Sequence, residues 1–201
     1  MAQNLLSRNQ KTRQDILRAA HDLFVQQGYH GTSMRQIAKN AHMALGGLYN
    51  YFESKEAVFK DVFWEYHPYR DILPYLNNAE GDTVEEFIHH ATTLLEDALF
   101  SHPDFLNLMF IEMVEFKGIH TSEIFQAIFP QGMQIAQGFL KRFQDQIRPI
   151  SPYIFMRSLL SLFFGFFITG VVISKYTPPE FNTDAMRQIT DIYLHGLLER
   201  K

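Results

Sequence analysis

The chain of 201 residues has no cysteine. Disulfide bonds and thiolate metal sites are therefore excluded, and the composition suits a reducing, cytoplasmic compartment. Residues 1–10 lack an apolar stretch of signal-peptide length, so we expect no export. Hydrophobic residues make up 46% of the chain, which is enough to bury a sizeable core and excludes a mainly disordered protein.

Familiar catalytic motifs are also missing. The chain has no His-Glu-x-x-His zinc motif, no phosphate-cradling loop and no Gly-x-Ser-x-Gly turn. Glu86 and His89 have the spacing of a helical di-iron ligand pair, but such sites need a second Glu-x-x-His, which is absent. We therefore predict no enzyme activity, no catalytic residue, no metal and no cofactor.

Alternating strand patterns and internal repeats are likewise absent, whereas apolar residues recur at helical spacings of three and four. The pattern predicts an all-α fold of about nine helices. The first runs from about Lys11 to Gln27, a short second one follows Ser33, a third starts near Gly46, and a fourth starts at Ser54 and ends at Tyr66 or continues past Pro68. Five more are predicted: Thr83–Ser101, Pro103–Lys117, Thr121–Ile147 with an interruption near Pro130, Ser151–Lys175 and Thr183–Arg200.

Charge is divided unevenly along the chain, although the net charge is only −4. Residues 1–60 hold eight Lys and Arg against four Asp and Glu, and the remainder is correspondingly acidic. Such a split is typical of a basic nucleic-acid-binding module on an acidic body, because only the module has to approach phosphates. Random scatter of surface charge is the alternative.

Two short helical segments stand inside the basic part. Gly31-Thr32-Ser33-Met34-Arg35-Gln36-Ile37-Ala38 begins with a capping-box pattern at Ser33 and Gln36, with Thr32 as a competing cap. Gly46-Gly47-Leu48-Tyr49-Asn50-Tyr51-Phe52 follows after a short gap. Helices this short cannot form a core alone, and the pair is typical of a helix-turn-helix that binds duplex DNA.

These residues resemble the amino-terminal domain of the tetracycline-repressor (TetR) family of bacterial transcription factors. The resemblance rests on Phe24-x-x-x-Gly28-Tyr29, on Thr32-Ser33-x-Arg35-x-Ile37-Ala38, and on Gly46-x-Leu48-Tyr49-x-Tyr51-Phe52-x-x-Lys55-Glu56. It covers about residues 10–60. It implies a DNA-binding domain over residues 1–54, a helical effector-binding and dimerisation domain over residues 55–201, and a repressor released by a small molecule. A regulator without an effector, and an activator, stay open.

The residue types suggest how the module would meet DNA. Hydroxyls and free N–H groups at a helix start suit a phosphate, Arg35 has the fork for guanine, and Asn50 can pair with adenine. Two glycines in a short helix favour close approach of a bulky partner. The resemblance adds phosphate contacts from Tyr49 and Lys55. The predicted DNA-binding residues are Thr32, Ser33, Arg35, Ala44, Leu45, Gly46, Gly47, Tyr49, Asn50, Tyr51 and Lys55.

One departure concerns the positions before Gly46. Many relatives carry a serine and a polar or basic residue there, whereas this chain has Ala44 and Leu45. Neither side chain can donate a hydrogen bond, so base reading would depend on apolar contact with thymine methyls, on Arg35 and Asn50, and on DNA shape.

A long uncharged run, Ser158–Ser174, lies near the carboxyl terminus. Its length is at the short limit for a membrane span, so a membrane-associated helical protein is an alternative. The run also contains serine, threonine and glycine, and the helix after it is amphipathic. An apolar helix of this kind suits the centre of a helical dimer, and we predict that the protein does not bind a membrane. The resemblance implies that 151–175 and 183–200 pair with their symmetry mates as a homodimer interface, and a homodimer would read a palindrome.

The middle of the chain is rich in aromatic residues and methionine. Most are expected in the core, but large adaptable side chains from several helices can also line a cavity for a small hydrophobic or aromatic effector. Glu112, Glu115 and His120 would supply polar contacts. The predicted pocket residues are Phe63, Trp64, Phe105, Met109, Phe110, Met113, Phe129 and Met133.

Overall fold

A computed structural model describes residues 2–173, 176–178 and 184–198. The described residues form ten helices and, apart from one isolated bridge between Ile147 and Leu198, no β-structure. The all-α prediction is confirmed. The helices are α1 Ala2–Gly31, α2 Met34–Asn40, α3 Leu45–Tyr49, α4 Lys55–Tyr66, α5 Tyr69–Asn77, α6 Val84–Phe100, α7 Phe105–Glu115, α8 Ile119–Arg142, α9 Pro152–Ile173 and α10 Ala185–Leu197.

The helices belong to two compact units. The first unit comprises Met1–His67 with His102–Ile124, and the second comprises Pro68–Ser101 with Phe125–Lys201. The boundary predicted between residues 54 and 55 separates a DNA-binding domain from an effector-binding and dimerisation domain, whereas the two units are distinguished by their internal contacts. That boundary therefore stays a prediction. The predicted helix ends at Lys175, Thr183 and Arg200 lie outside the described residues.

The core of the first unit is built from the apolar faces of α1, α4 and α7. Ile16, Ala20 and Phe24 of α1 lie at helical spacing and are fully buried. The Phe24 ring meets Phe59 of α4 edge to face at 5.3 Å between centroids. From α2 and α3 the first unit also buries Ile37, Ala38 and Leu48, so the helix-turn-helix has its own attachment to this core.

Both ends of α1 differ from the sequence expectation, whereas α4 ends at Tyr66, the first of the two ends predicted for it. Helix α1 begins at Ala2 and passes a non-helical Gly28 with φ 73° and ψ 176° before one more turn. Glycine adopts this conformation without the steric cost that a Cβ would bring. Helix α4 ends at Tyr66 because His67 is extended (ψ 131°), as the residue before Pro68 usually is, and α5 is a separate helix.

The predicted interruption near Pro130 is wrong, since α8 runs continuously from Ile119 to Arg142. Pro130 is an exposed residue. On an exposed helix face, the carbonyl that loses its partner to a proline can bond to water, so the helix bends or adjusts instead of ending.

A buried carboxylate holds the corner between α7 and α8, where Lys117 and Gly118 have φ of 55° and 79°. Glu112 is fully buried, and its Oε1 accepts from the backbone N–H groups of His120 at 2.7 Å and Thr121 at 3.2 Å. Its Oε2 lies 2.7 Å from Nδ1 of His120. Glu112 thus caps the start of α8 from the preceding helix.

The second unit has two apolar clusters. In the larger one Phe139 of α8 stacks on Phe155 of α9 at 4.9 Å, and Leu194 and Leu197 of α10 pack beside them. The smaller cluster joins Leu95 of α6, Phe163 of α9 and Met186 of α10. Only one side of α9 enters these clusters.

His67 packs against aromatic residues in the core of the first unit, and its lowered pKa makes the stability of the protein depend on pH. Its ring lies edge-on to Phe63 at 5.4 Å and to Phe105 at 4.9 Å. Burial, with a smaller contribution from nearby His102, lowers the pKa of His67 from 6.5 to about 4. The native protein therefore keeps this imidazole neutral where an unfolded chain would protonate it.

We expect acid to destabilise the protein through His67. The unfolded state takes up a proton as the pH falls below 6.5 and the native state does so only near pH 4, so this share of the stability is complete above 6.5 and is lost toward 4. Between about pH 7.5 and about pH 5 the loss is about 2 kcal/mol. Urea denaturation at both pH values and one protein concentration measures it. His67→Phe should remove this share and the control His42→Asn should not; equal pH dependence in all three proteins would contradict the assignment.

Candidate nucleic-acid interface

The start of α2 is organised by Ser33, as the capping-box pattern predicts. Ser33 Oγ accepts from the Gln36 N–H at 3.3 Å, and Gln36 Oε1 accepts from the Ser33 N–H at 2.9 Å. Gln36 Oε1 also accepts from the Ser33 hydroxyl at 2.7 Å. The capping box is confirmed, and it leaves Ser33 exposed at the amino-terminal end of α2.

Thr32 has a different place. Its side chain is only 2% exposed, and its hydroxyl donates to the Gly28 carbonyl at 2.9 Å while lying 3.3 Å from Gln27 Nε2. Thr32 therefore closes the end of α1 instead of capping α2. Its hydroxyl is occupied inside the protein, and its phosphate contact stays a prediction.

The turn and α3 present a short apolar inner side and an open outer side. His42 takes a left-handed φ of 54° in the turn, and Ala44 begins α3 without a side-chain cap. Leu48 and Phe52 are buried, as predicted for the module's core. The helix itself has only five residues, Leu45–Tyr49.

The two glycines of α3 differ in what surrounds them. A Cβ on Gly47 would lie 3.2 Å from the flexible Met43 methyl, whereas one on Gly46 would meet nothing within 4 Å. No packing inside the protein requires glycine at Gly46. Open space at this position is where an external molecule can approach the backbone closely.

The remaining predicted contacts are accessible. Arg35, Ala44 and Asn50 are exposed, and Tyr49 is 51% exposed. Leu45, Gly47 and Tyr51 are partly exposed. The sequence pattern thus separates inward from outward positions correctly on α2 and α3, with Thr32 as the exception.

Lys55, the first residue of α4, points back to the end of α1. Its Nζ donates to the carbonyls of Tyr29 at 2.7 Å and Thr32 at 2.8 Å and lies 4.1 Å from the centroid of the Tyr29 ring. Burial lowers the pKa of Lys55, and the Glu115 carboxylate opposes that shift. The sequence did not indicate these contacts, because they join residues more than twenty positions apart. A phosphate contact from Lys55 stays a prediction.

The predicted effector-pocket residues fall in both units. In the first, Phe63, Phe105 and Met109 are buried, Trp64 is half-buried, and Phe110 and Met113 are 49% and 53% exposed. In the second, Met133 is buried and Phe129 half-buried. Exposed Phe110 and Met113 do not line an enclosed cavity as the structure stands. A groove of about 700 Å³ lies elsewhere and is lined by Gln10, Lys11, Arg13, Gln14, Asp15, Leu17, Arg18 and Glu65.

The polar residues predicted to line the effector pocket, Glu112, Glu115 and His120, have partners within the protein. Glu112 and His120 form the buried pair at the corner of α7 and α8, and Glu115 Oε2 lies 2.6 Å from His30 Nε2. The expectation that they contact an effector would require these pairs to open.

Glu86 and His89 also have structural partners. Glu86 completes a capping box with Thr83 at the start of α6, and His89 Nε2 lies 2.9 Å from Asp191 Oδ1. Within the described part of the chain, no group of three or more His, Asp or Glu side chains is arranged to hold a metal ion.

Known proteins resemble this chain in both sequence and fold. Residues 16–62 match the family model described as bacterial regulatory proteins, tetR family. The HTH-type transcriptional regulator UidR of Escherichia coli is 27% identical over 172 residues, which are 82% of this chain and 84% of that protein. The uncharacterised HTH-type transcriptional regulator YvkB of Bacillus subtilis is 27% identical over 162 residues, or 78% and 82% of the two chains.

Solved structures agree on the fold. The crystal structure of NalD, the secondary repressor of the MexAB-OprM multidrug efflux pump in Pseudomonas aeruginosa, has a TM-score of 0.68 at 22% identity and covers 96% of this chain and 99% of NalD. The TetR family transcriptional regulator PfmR from Thermus thermophilus has a TM-score of 0.64 at 19% identity, with 92% and 99% covered. The family model over the exposed helix-turn-helix thus identifies residues 16–62 as a tetR-type DNA-binding domain, and the relatives that match most of the chain are HTH-type transcriptional regulators.

Proposed function

We propose that this regulator is a cytoplasmic repressor that binds a palindromic operator as a homodimer and is released by a small, largely hydrophobic effector. The observation that carries the proposal is the outer side of α2 and α3, where Ser33, Arg35, Tyr49 and Asn50 are all accessible while the inner side is buried. Residues 1–54 would form the DNA-binding domain and residues 55–201 the effector-binding and dimerisation domain.

The accessible side chains divide by chemistry. Ser33 and the amino-terminal end of α2 suit a phosphate, as does the Tyr49 hydroxyl. Arg35 and Asn50 can read base edges, guanine and adenine respectively, in the major groove. Gly46, which has open space around it, would allow the backbone of α3 to approach the duplex, and Ala44 and Leu45 would contact thymine methyls.

Helix α9 supports the homodimer. One side of it carries exposed apolar residues at helical spacing: Tyr153, Ile154, Leu160, Phe164 and Ile168, between 38% and 64% exposed. Pro152–Gly170 is long and apolar enough to cross a membrane, and only 11% of that stretch is buried. A second copy of α9 and α10 would cover this side in a four-helix arrangement, which also holds two DNA-binding domains about one helical turn of DNA apart.

The effector proposal rests on residue types in the body. Methionine and aromatic side chains can rearrange to enclose a hydrophobic molecule, and ligand binding would favour a conformation in which α4 moves and the two DNA-binding domains no longer match the groove spacing. A body that only packs its aromatic residues, in a regulator without an effector, is the competing function.

Arg35→Ala should lower affinity for the operator by about 1 to 3 kcal/mol and relax base preference at one position of each half-site, because its fork no longer reaches a guanine. Selection of duplexes from a random-sequence pool, followed by fluorescence anisotropy, measures both effects. Arg148→Ala, which removes an exposed arginine between α8 and α9, is the control for loss of one positive charge. Unchanged affinity and unchanged base preference in Arg35→Ala would contradict the docking model.

Ile168→Asp should convert the dimer to a monomer at micromolar concentration, because the interface would have to bury an unpaired carboxylate. Sedimentation equilibrium measures the change. Gln137→Asp on the exposed side of α8 adds the same charge and should leave the dimer intact. A wild-type protein that sediments as a monomer, or that enters the soluble fraction only with detergent, would contradict the proposed interface.

A lipophilic effector should weaken operator binding by about 5-fold to 150-fold, the usual range of coupling between two sites. Titration of the protein–operator complex with a panel of aromatic and aliphatic compounds tests this. Competition by unlabelled operator checks that the complex is reversible. If no compound changes the affinity, the regulator without an effector is the better description.

A further inference from the structure

Lys55 stands at an unfavourable position in its own helix. It is the first residue of α4, after the cap Ser54. The amino-terminal end of a helix carries partial positive charge, so a cation there is disfavoured by the helix dipole, whereas the carboxylate of the next residue, Glu56, is favoured. The ammonium needs another partner to offset this repulsion.

The carboxyl-terminal end of α1 supplies that partner. Nζ of Lys55 donates to the Tyr29 carbonyl at 2.7 Å and to the Thr32 carbonyl at 2.8 Å. An ammonium has three N–H donors, so two of them are used inside the protein. The Tyr29 ring face, 4.1 Å from Nζ, adds a cation–π contact. The Tyr29 carbonyl belongs to the last turn of α1, where carbonyls carry partial negative charge, and Thr32 directly follows that turn.

The two carbonyls belong to the segment that sets the direction of α2. Tyr29 follows the non-helical Gly28, and Thr32 directly precedes the cap Ser33. The Thr32 carbonyl and the Ser33 N–H lie in one planar peptide group. Lys55 holds the carbonyl side of that group, and Gln36 Oε1 accepts from its N–H side at 2.9 Å. The peptide from which α2 starts is therefore fixed from both sides.

We propose that Lys55 is a positioning residue for DNA binding, whose ammonium ties the end of α1 and the start of α2 to α4 and so fixes the direction in which Arg35 and α3 face the duplex. The proposal rests on the proposed function, because it assumes that α2 and α3 meet DNA. It gives Lys55 a role other than the phosphate contact that resemblance implies. Helices α2 and α3 pack against each other, so turning the start of α2 also turns α3.

The two roles differ in their salt dependence. Removing one phosphate contact lowers the slope of log affinity against log salt by about 0.9. Removing a positioning contact lowers affinity at every salt concentration without changing the number of phosphates bound. The free protein differs as well, because only a tie within the protein changes the exchange of its amides in the absence of DNA.

The experiment compares Lys55→Met with Lys60→Met. Lys60 lies on the same helix, and its Nζ is 2.7 Å from Glu123 Oε2, so its loss removes an equal charge without touching α1. The probe is the duplex that the wild-type protein selects from a random-sequence pool, titrated over a range of salt. In parallel, hydrogen exchange by mass spectrometry follows the amides of residues 33–37 in the free proteins.

We expect Lys55→Met to bind about tenfold more weakly than Lys60→Met, with an equal salt slope and faster exchange at the start of α2. A slope lower by about 0.9 than that of Lys60→Met would show a phosphate contact and overturn the proposal. Equal exchange in the two variants would also overturn it. If the wild-type protein selects no duplex, the proposed function fails, and the exchange comparison still decides whether the tie exists.

A measurement on the wild-type protein covers the case in which Lys55→Met does not fold. In protein labelled with ¹⁵N-lysine, the Lys55 ammonium should give an observable, slowly exchanging signal without DNA, and adding the selected duplex should leave it in place. An ammonium signal that appears only with DNA would overturn the proposal.

Discussion

The packing of the Phe59 ring against its aromatic neighbours holds the helices of the first unit together. Phe59 is fully buried, meets Phe24 of α1 at 5.3 Å and stacks on Phe116 at the end of α7 at 4.8 Å. Tyr29 lies edge-on to both Phe59 and Phe116, at 5.7 Å and 4.9 Å. One aromatic cluster thus joins the end of α1, the middle of α4 and the corner after α7. Because the helix-turn-helix is attached to α1 and α4, its direction is set by the same cluster.

Two charged side chains near this cluster, Glu112 and Lys55, have hydrogen-bond partners within the protein. The Glu112 carboxylate, fully buried, accepts from two backbone N–H groups of α8 and pairs with His120. The Lys55 ammonium binds two carbonyls beside Tyr29. A buried charge without such partners would be costly. Because the partners are backbone groups, Glu112 also fixes the direction of the backbone at the start of α8, and Lys55 does so at the start of α2.

Local patterns made much of the fold predictable. The Ser33 and Gln36 capping box, the buried positions of α1 and the all-helical class all follow from residues within one or two helical turns of each other. The errors have physical causes too. Pro130 predicts an interruption of the helix, but α8 continues through it, and Pro130 is exposed. Adjacent hydroxyls at Thr32 and Ser33 suggest two outward groups, but the Thr32 hydroxyl donates to the carbonyl of Gly28, whose φ is positive.

The exposure of most candidate site residues was predictable, but their contacts within the protein were not. That Arg35, Tyr49 and Asn50 are accessible follows from helical periodicity. The contacts of Lys55 with Tyr29 and Thr32 do not, because they depend on how α1 and α4 pack. The body residues were least predictable: aromatic side chains serve equally in a core or a cavity, and Phe110 and Met113 proved exposed.

Helix α9 shows how composition alone leaves three environments open. An apolar helix suits a core, a membrane or a partner helix, but Phe155 and Phe163 are buried on one side while Ile154, Phe164 and Ile168 are exposed on the other. On the exposed side, Ser161 and Thr169 donate their hydroxyls to carbonyls four residues earlier, at 2.8 Å and 2.6 Å. Their polar hydrogens are thus satisfied within the helix. With Gly165 between them, where a Cβ would meet nothing within 4 Å, they leave a shallow surface that another helix can approach closely. In the proposed homodimer, a second copy of α9 would be that helix, with the same exposed side of each copy facing the other across a two-fold axis.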